Sequence, residues 1–193
     1  MTIILRKRNG WRRSPQVRLL CLVYFGFVMA NYGISFWLPQ IIRDTLTTDP
    51  MRIGLLATIW NARHSDATGE RRWHIAIAGA VGAIAFAASG IPRISGVAGL
   101  IALTLATAGV MSAVSTFWSL PSGILSGAAA SAGIAWINSV GNPAGYLSPS
   151  IVGKIRDTTG SMMLALLVLP ASCAIGGVAA LAVTRTPRAT RMQ

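Results

Sequence analysis

Negative charge is nearly absent from this sequence. Its 193 residues include five acids against seventeen basic residues and two histidines, and charged residues of both signs make up only 11%. A soluble domain of this size carries about a quarter charged residues, so a solvated globular body is excluded. The five acids (Asp44, Asp49, Asp66, Glu70, Asp157) and both histidines (His64, His74) all stand in connections between apolar runs. With none of them inside an apolar run, this stretch of chain supplies no obvious intramembrane proton relay. Cysteine is scarce too. Cys21 and Cys173 lie within apolar runs and read as small hydrophobic filler rather than as a disulfide or metal ligands. Serine, histidine and aspartate meet in "RHSD" (63–66), but as loop neighbours with no scaffold to orient a triad. No phosphate-binding glycine pattern follows a strand, and no Cys/His spacing suits zinc. Neither an enzyme nor a cofactor is expected.

What remains is apolar. Hydrophobic residues are 53% of the chain, glycine numbers 20, and the mean hydropathy is +0.58. Long uncharged stretches in such a chain indicate an all-α, polytopic membrane helix bundle. Abundant small residues suit helices that approach closely in lipid. The membrane domain is expected over residues 17–183, with spans at 17–38, 75–91, 94–120, 128–155 and 161–183. The 128–155 span is interrupted by Gly141, Pro143, Gly145 and Pro149, which membrane helices tolerate when neighbours or a cavity satisfy the freed backbone groups.

The net charge of +12 is concentrated in three places: Arg6, Lys7, Arg8, Arg12, Arg13 and Arg18 before the first span; Arg63, Arg71 and Arg72 in the middle; Arg185, Arg188 and Arg191 in the tail. Basic clusters flanking apolar spans mark the cytoplasmic side and face anionic lipid. No recognition fold accompanies them, so nucleic acid is not an expected partner. Segments 1–16 and 184–193 are therefore expected in the cytoplasm, in a multi-pass protein of the inner (plasma) membrane. All three clusters share one side only if the chain crosses back before Arg63. The material for that is a stub at 51–62, which as a helix covers about 18 Å of a hydrocarbon core of about 30 Å. The stub is expected to cross poorly.

Three stretches resemble a known family. "RHSDATGERRWH" (63–74) resembles the loop between helices 8 and 9 of major facilitator superfamily transporters, and more narrowly of the anion:cation symporter group of tartrate, phthalate and sugar-acid permeases. "YGISFWLPQIIRD" (32–44) resembles the end of helix 7 in that group. "FWSLPSGILSGAAASAGIAWINSVGNPAGYLSPSIVGKIRDTTGS" (117–161) resembles its helix 10 exit and helix 11. The resemblance runs from about Val17 onward and reaches only the C-terminal six-helix half of such a transporter. It departs from the pattern at a shortened helix 8 and at Ala67, where the family's Ser-Asp-Arg-x-Gly carries arginine. It implies one partial half of a major facilitator fold. It also implies alternating access to a small organic anion held between two bundles near the midplane, with proton coupling and charge neutralisation supplied by an N-terminal half, on the same chain or a separate one.

Neutral polar residues are then the candidates for this half. Asn138 and Asn142 lie four apart, on one helix face. By resemblance Asn138 stands at a substrate-contacting position of helix 11, Ser115 and Trp118 at cavity positions of helix 10, and Asn31 and Tyr32 in the wall of helix 7. The plainer reading is that these are interhelical glue or interface anchors, and it suits Asn142, beside Pro143, best. Asp66, Arg71 and Arg72 are candidates for a gating loop, with Asp66 capping or bridging a helix end and an arginine pairing across the bundle; the plainer reading is a solvated, topology-setting loop. Two rival functions stand beside the transporter: a non-functional truncated remnant, and a membrane interaction subunit whose basic ends bind lipid or a partner.

Overall fold

A computed structural model describes residues 14–42, 59, 61–66, 68, 70–91, 96–125 and 127–183. Most of the basic segment 1–16, most of the 51–62 stub and the tail 184–193 lie outside the described residues. The described part is helical throughout, a helix bundle without strands. Its helices are α1 (Pro15–Ile42), α2 (Arg71–Ser89), α3 (Gly96–Phe117), α4 (Ser119–Ile124), α5 (Ala128–Gly141), α6 (Pro143–Thr159), α7 (Met162–Leu166) and α8 (Val168–Ala182). A short helical stretch, 61–66, precedes α2.

Among the described residues, four stretches are long and apolar enough to cross a membrane: Pro15–Phe36, Arg71–Ser89, Val97–Ile124 and Met162–Ala182. The expected 128–155 span is instead two helices meeting at Asn142. Pro143 has no amide proton to extend the ladder and its ring crowds the preceding turn, yet Asn142 keeps helical dihedrals (φ −61, ψ −31) and its amide donates to Asn138 O at 2.9 Å. The result is a break without a change of direction large enough to need a loop. At the other end of α6 the chain stops sharply. Gly160 adopts φ +67, a left-handed cap that glycine takes without a Cβ clash, and the next helix opens with Ser161 Oγ accepting from the Leu164 amide at 3.3 Å.

The core forms where small residues let backbones meet. Helix α1 is central and packs on α3, α5, α6 and α8, while α2 packs on both α3 and α8. Fully buried Phe27 fills the space left by two glycines: a Cβ on Gly79 would lie 2.9 Å from its ring, and one on Gly176 3.2 Å. At Gly109 the α2–α3 contact is backbone to backbone, since a Cβ there would stand 2.6 Å from Ala78 O and 2.7 Å from Gly82 N. Hydroxyls in these helices mostly bond back to their own turn, as Thr104 Oγ1 does to Leu100 O at 2.8 Å and Thr107 Oγ1 to Leu103 O at 2.9 Å, so they enter the apolar interior already satisfied.

Two buried clusters set the bundle's ends. Val17 and Leu20 at the start of α1 pack with Phe117, Leu120, Ile137, Ala180 and Val183. Ala30 and Ile34, further along α1, pack with Ala85, Phe86, Leu103, Val152, Ala165 and Leu169. The start of α1 and the ends of α3 and α8 therefore share one end, whereas α1 finishes at the other. Asn61 bonds to Ser112 and Thr116, at the end where α1 starts. The expectation of poor crossing falls on the 51–62 stub, most of which lies outside the described residues.

Two outcomes test this packing. A topology reporter inserted at Arg63 is expected on the same side of the membrane as one at the C-terminus; opposite sides would contradict the shared end. Gly109→Ala is expected to force α2 and α3 apart and lower stability by about 1–3 kcal/mol in thermal unfolding from detergent. Gly82→Ala, where the new Cβ would meet its nearest atom at 3.5 Å, is expected to change little.

Candidate functional site

Two places gather polar groups. The first is a strip formed by α1, the α3–α4 junction and the α5–α6 break. Tyr24 is its centre: its ring stacks on Phe117 (centroids 5.4 Å apart) and meets Trp118 edge-on at 4.9 Å, and Trp118 in turn packs edge-on against Phe117. The Tyr24 hydroxyl donates to Asn142 Oδ1 over a long 3.5 Å. Gly141 makes room for that ring; a Cβ there would overlap it. Aromatic pairs at such separations contribute about 0.5–1.5 kcal/mol beyond their area, so three helices are held at the helix break by one tyrosine.

The other candidates spread from this centre. Asn31 and Tyr32 are on α1, half-buried and exposed, and Tyr32 lies over Gly145 of α6, 3.1 Å from where a Cβ would stand. Asn138 is half-buried on α5, one turn before the exposed Asn142. Ser115 is exposed on α3, one turn before Trp118, and its hydroxyl donates to Ser112 O at 3.1 Å. The structure thus brings Trp118 and Asn142 together through Tyr24, while Asn31, Tyr32, Ser115 and Asn138 occupy neighbouring turns. Tyr24 was not among the expected residues. Its signal was present, because it precedes Asn31 by seven residues and so shares its helix face.

The second place is the connection into α2. Asn61 Nδ2 donates to Thr116 Oγ1 at 2.9 Å and to Ser112 O at 3.4 Å. Arg71 Nη1 donates to Ser119 O at 2.8 Å, and Arg72 Nη1 to Val183 O at 2.8 Å and Leu181 O at 3.2 Å. Arg72 thus meets carbonyls where α8 finishes, and Arg71 meets the carbonyl of Ser119, the first residue of α4. At the end of α8 the negative end of the helix dipole favours a cation. Asp66 reaches Arg71 at 3.9 Å with its side chain 72% exposed, a pairing worth about 0–1 kcal/mol. His64 Nδ1 and His74 Nε2 stand 2.8 Å apart.

Over 184 residues the chain is 39% identical to a putative tartrate transporter of Agrobacterium vitis, covering 89% of this chain and 41% of the relative. It is 36% identical to the putative metabolite transport protein NicT of Pseudomonas putida, covering 83% and 39%, and 31% identical to the inner membrane transport protein RhmT of Escherichia coli, covering 86% and 41%. The chain is related to major facilitator transporters. It spans about two-fifths of the length of the curated relatives it matches. No family model matches it, and no solved structure does.

Four apolar helices and this similarity to transporters make the chain a multi-pass membrane protein, and the Arg72 contact holds the end of one of its long apolar helices. Arg72→Gln is expected to leave the Leu181 and Val183 carbonyls uncapped and cost roughly 1 kcal/mol locally, read as several-fold faster hydrogen exchange over residues 179–183. Asp66→Asn is expected to leave that exchange unchanged.

Proposed function

We propose that this chain forms the C-terminal bundle of an organic-anion transporter of the anion:cation symporter kind, working by alternating access in an inner membrane with both ends of the chain in the cytoplasm. The observation that supports this most is a division of the exposed surface. Helices α2, α3 and α8 expose aliphatic side chains (Ile77, Val81, Ile84, Ile101, Ile175, Val178), a surface suited to lipid tails. Helices α1, α5 and α6 and the Asn142 break also expose apolar residues (Leu22, Phe36, Trp136, Val140, Leu147), but add Tyr32, Ser35, Ser139, Asn142, Tyr146 and Ser150, polar and amphipathic groups that suit a hydrated cavity or an opposing bundle. The Agrobacterium relatives are named for tartrate, a small dicarboxylate whose hydroxyls and carboxylates would accept from amide and tyrosine donors of this kind.

Within this reading Asn138, Asn142, Ser115, Trp118, Tyr32 and Asn31 line the half-cavity, and Tyr24 positions Trp118 and Asn142. The cation that neutralises the substrate and the proton-coupling carboxylates come from outside these residues, because the acids among the described residues (Asp66, Glu70, Asp157) stand at helix connections or ends. The connection with Asp66, Arg71 and Arg72 acts as the gate: carbonyl captures by arginine reset at modest cost as helix ends part.

Uptake of labelled tartrate tests the proposal, in cells producing this chain together with an N-terminal six-helix half from a tartrate relative. Accumulation is expected with both parts, and Asn138→Ala is expected to raise KM about tenfold, the cost of one substrate hydrogen bond, with unchanged membrane abundance. Uptake indifferent to both Asn138→Ala and Ser115→Ala would remove the cavity assignment.

A further inference from the structure

The geometry points to a binding site for one borderline transition-metal cation, of the zinc class, between His64 and His74. The two rings belong to different segments, the 61–66 helical stretch and the first turn of α2, and converge with Nδ1 of His64 2.8 Å from Nε2 of His74 and ring centroids 4.9 Å apart. A second contact fixes one tautomer. His74 Nδ1 is 2.7 Å from Glu70 O, and since a carbonyl only accepts, the proton is on Nδ1 and the Nε2 lone pair faces His64. A backbone carbonyl orienting the far nitrogen is the support that metal-bound imidazoles ordinarily have.

Without a metal, the His64 Nδ1–H donates to that lone pair and the two rings share one hydrogen bond. With a metal, His64 takes its other tautomer: the Nδ1–H bond breaks with its proton passing to solvent, Nε2 gains a proton from solvent in exchange, and both facing nitrogens donate lone pairs to the cation. Tetrahedral coordination with metal–nitrogen bonds of about 2.0–2.1 Å separates two ligand nitrogens by about 3.3 Å, so the rings need part by only a few tenths of an ångström. Imidazole selects zinc, copper and nickel over magnesium and calcium, and water completes the shell. The local charge does not forbid it: Arg63, Arg71 and Arg72 are balanced in part by Asp66 and Glu70, and Arg71 and Arg72 are turned toward Ser119, Leu181 and Val183 carbonyls. The cation would tie the 61–66 stretch, already bonded to α3 through Asn61, to α2, and so stiffen the connection whether or not the chain transports tartrate.

Zinc chloride titrated into the detergent-solubilised full chain, purified without a histidine tag, tests the assignment. One zinc per chain is expected, with a thermal midpoint that rises with zinc concentration. His64→Gln and His74→Gln are each expected to weaken binding at least tenfold and abolish that rise. Magnesium in place of zinc is expected to give no such rise, a reading that needs no variant. Absence of saturable binding at millimolar zinc, binding that survives either substitution, or an equal rise with magnesium would each overturn the site.

Discussion

Close backbone approach at glycine is the constraint on which the rest of this bundle depends. In lipid the apolar faces of helices gain little by leaving their surroundings, so association rests on packing contact. Gly79 and Gly176 open a slot for the Phe27 ring, and Gly109 lets α2 and α3 touch through their main chains. These contacts place α1 in the middle. Once α1 is central, its start lies beside the ends of α3 and α8, and Tyr24 is carried to the α5–α6 break.

Scarcity of acids shapes the connection into α2. A basic loop in an acid-rich protein would pair its arginines with carboxylates. Here Arg72 takes carbonyls at the end of α8 and Arg71 that of Ser119, where α4 begins, with the exposed Asp66 carboxylate 3.9 Å from Arg71. Such captures hold a helix end without burying a charge pair, and they release at small cost.

Much of the helical layout was legible before the fold. Uncharged runs marked the helices, and Gly141 and Pro143 marked the break at Asn142. Most of the 51–62 stub lies outside the described residues, while Asn61 at its edge bonds to Thr116 at the end where α1 starts. Tyr24 carried a partial signal, the helix face it shares with Asn31, but its partners Phe117, Trp118 and Asn142 are set by the fold. The arginine partners were hidden for a different reason, since backbone carbonyls carry no sequence signature.

By itself the sequence determined the class and the periodicity: apolar runs too long and too poor in charge for water, small residues where helices must meet, and three basic clusters seeking one side. These follow from solvation, which depends on composition within a segment. Tertiary structure alone decided which side chains meet: Tyr24 with Trp118 and Asn142, Arg72 with the last carbonyls of α8, and His64 with His74 across a turn. Those pairings depend on helix rotation and register, which in this chain are set by a few glycine contacts between segments distant in sequence.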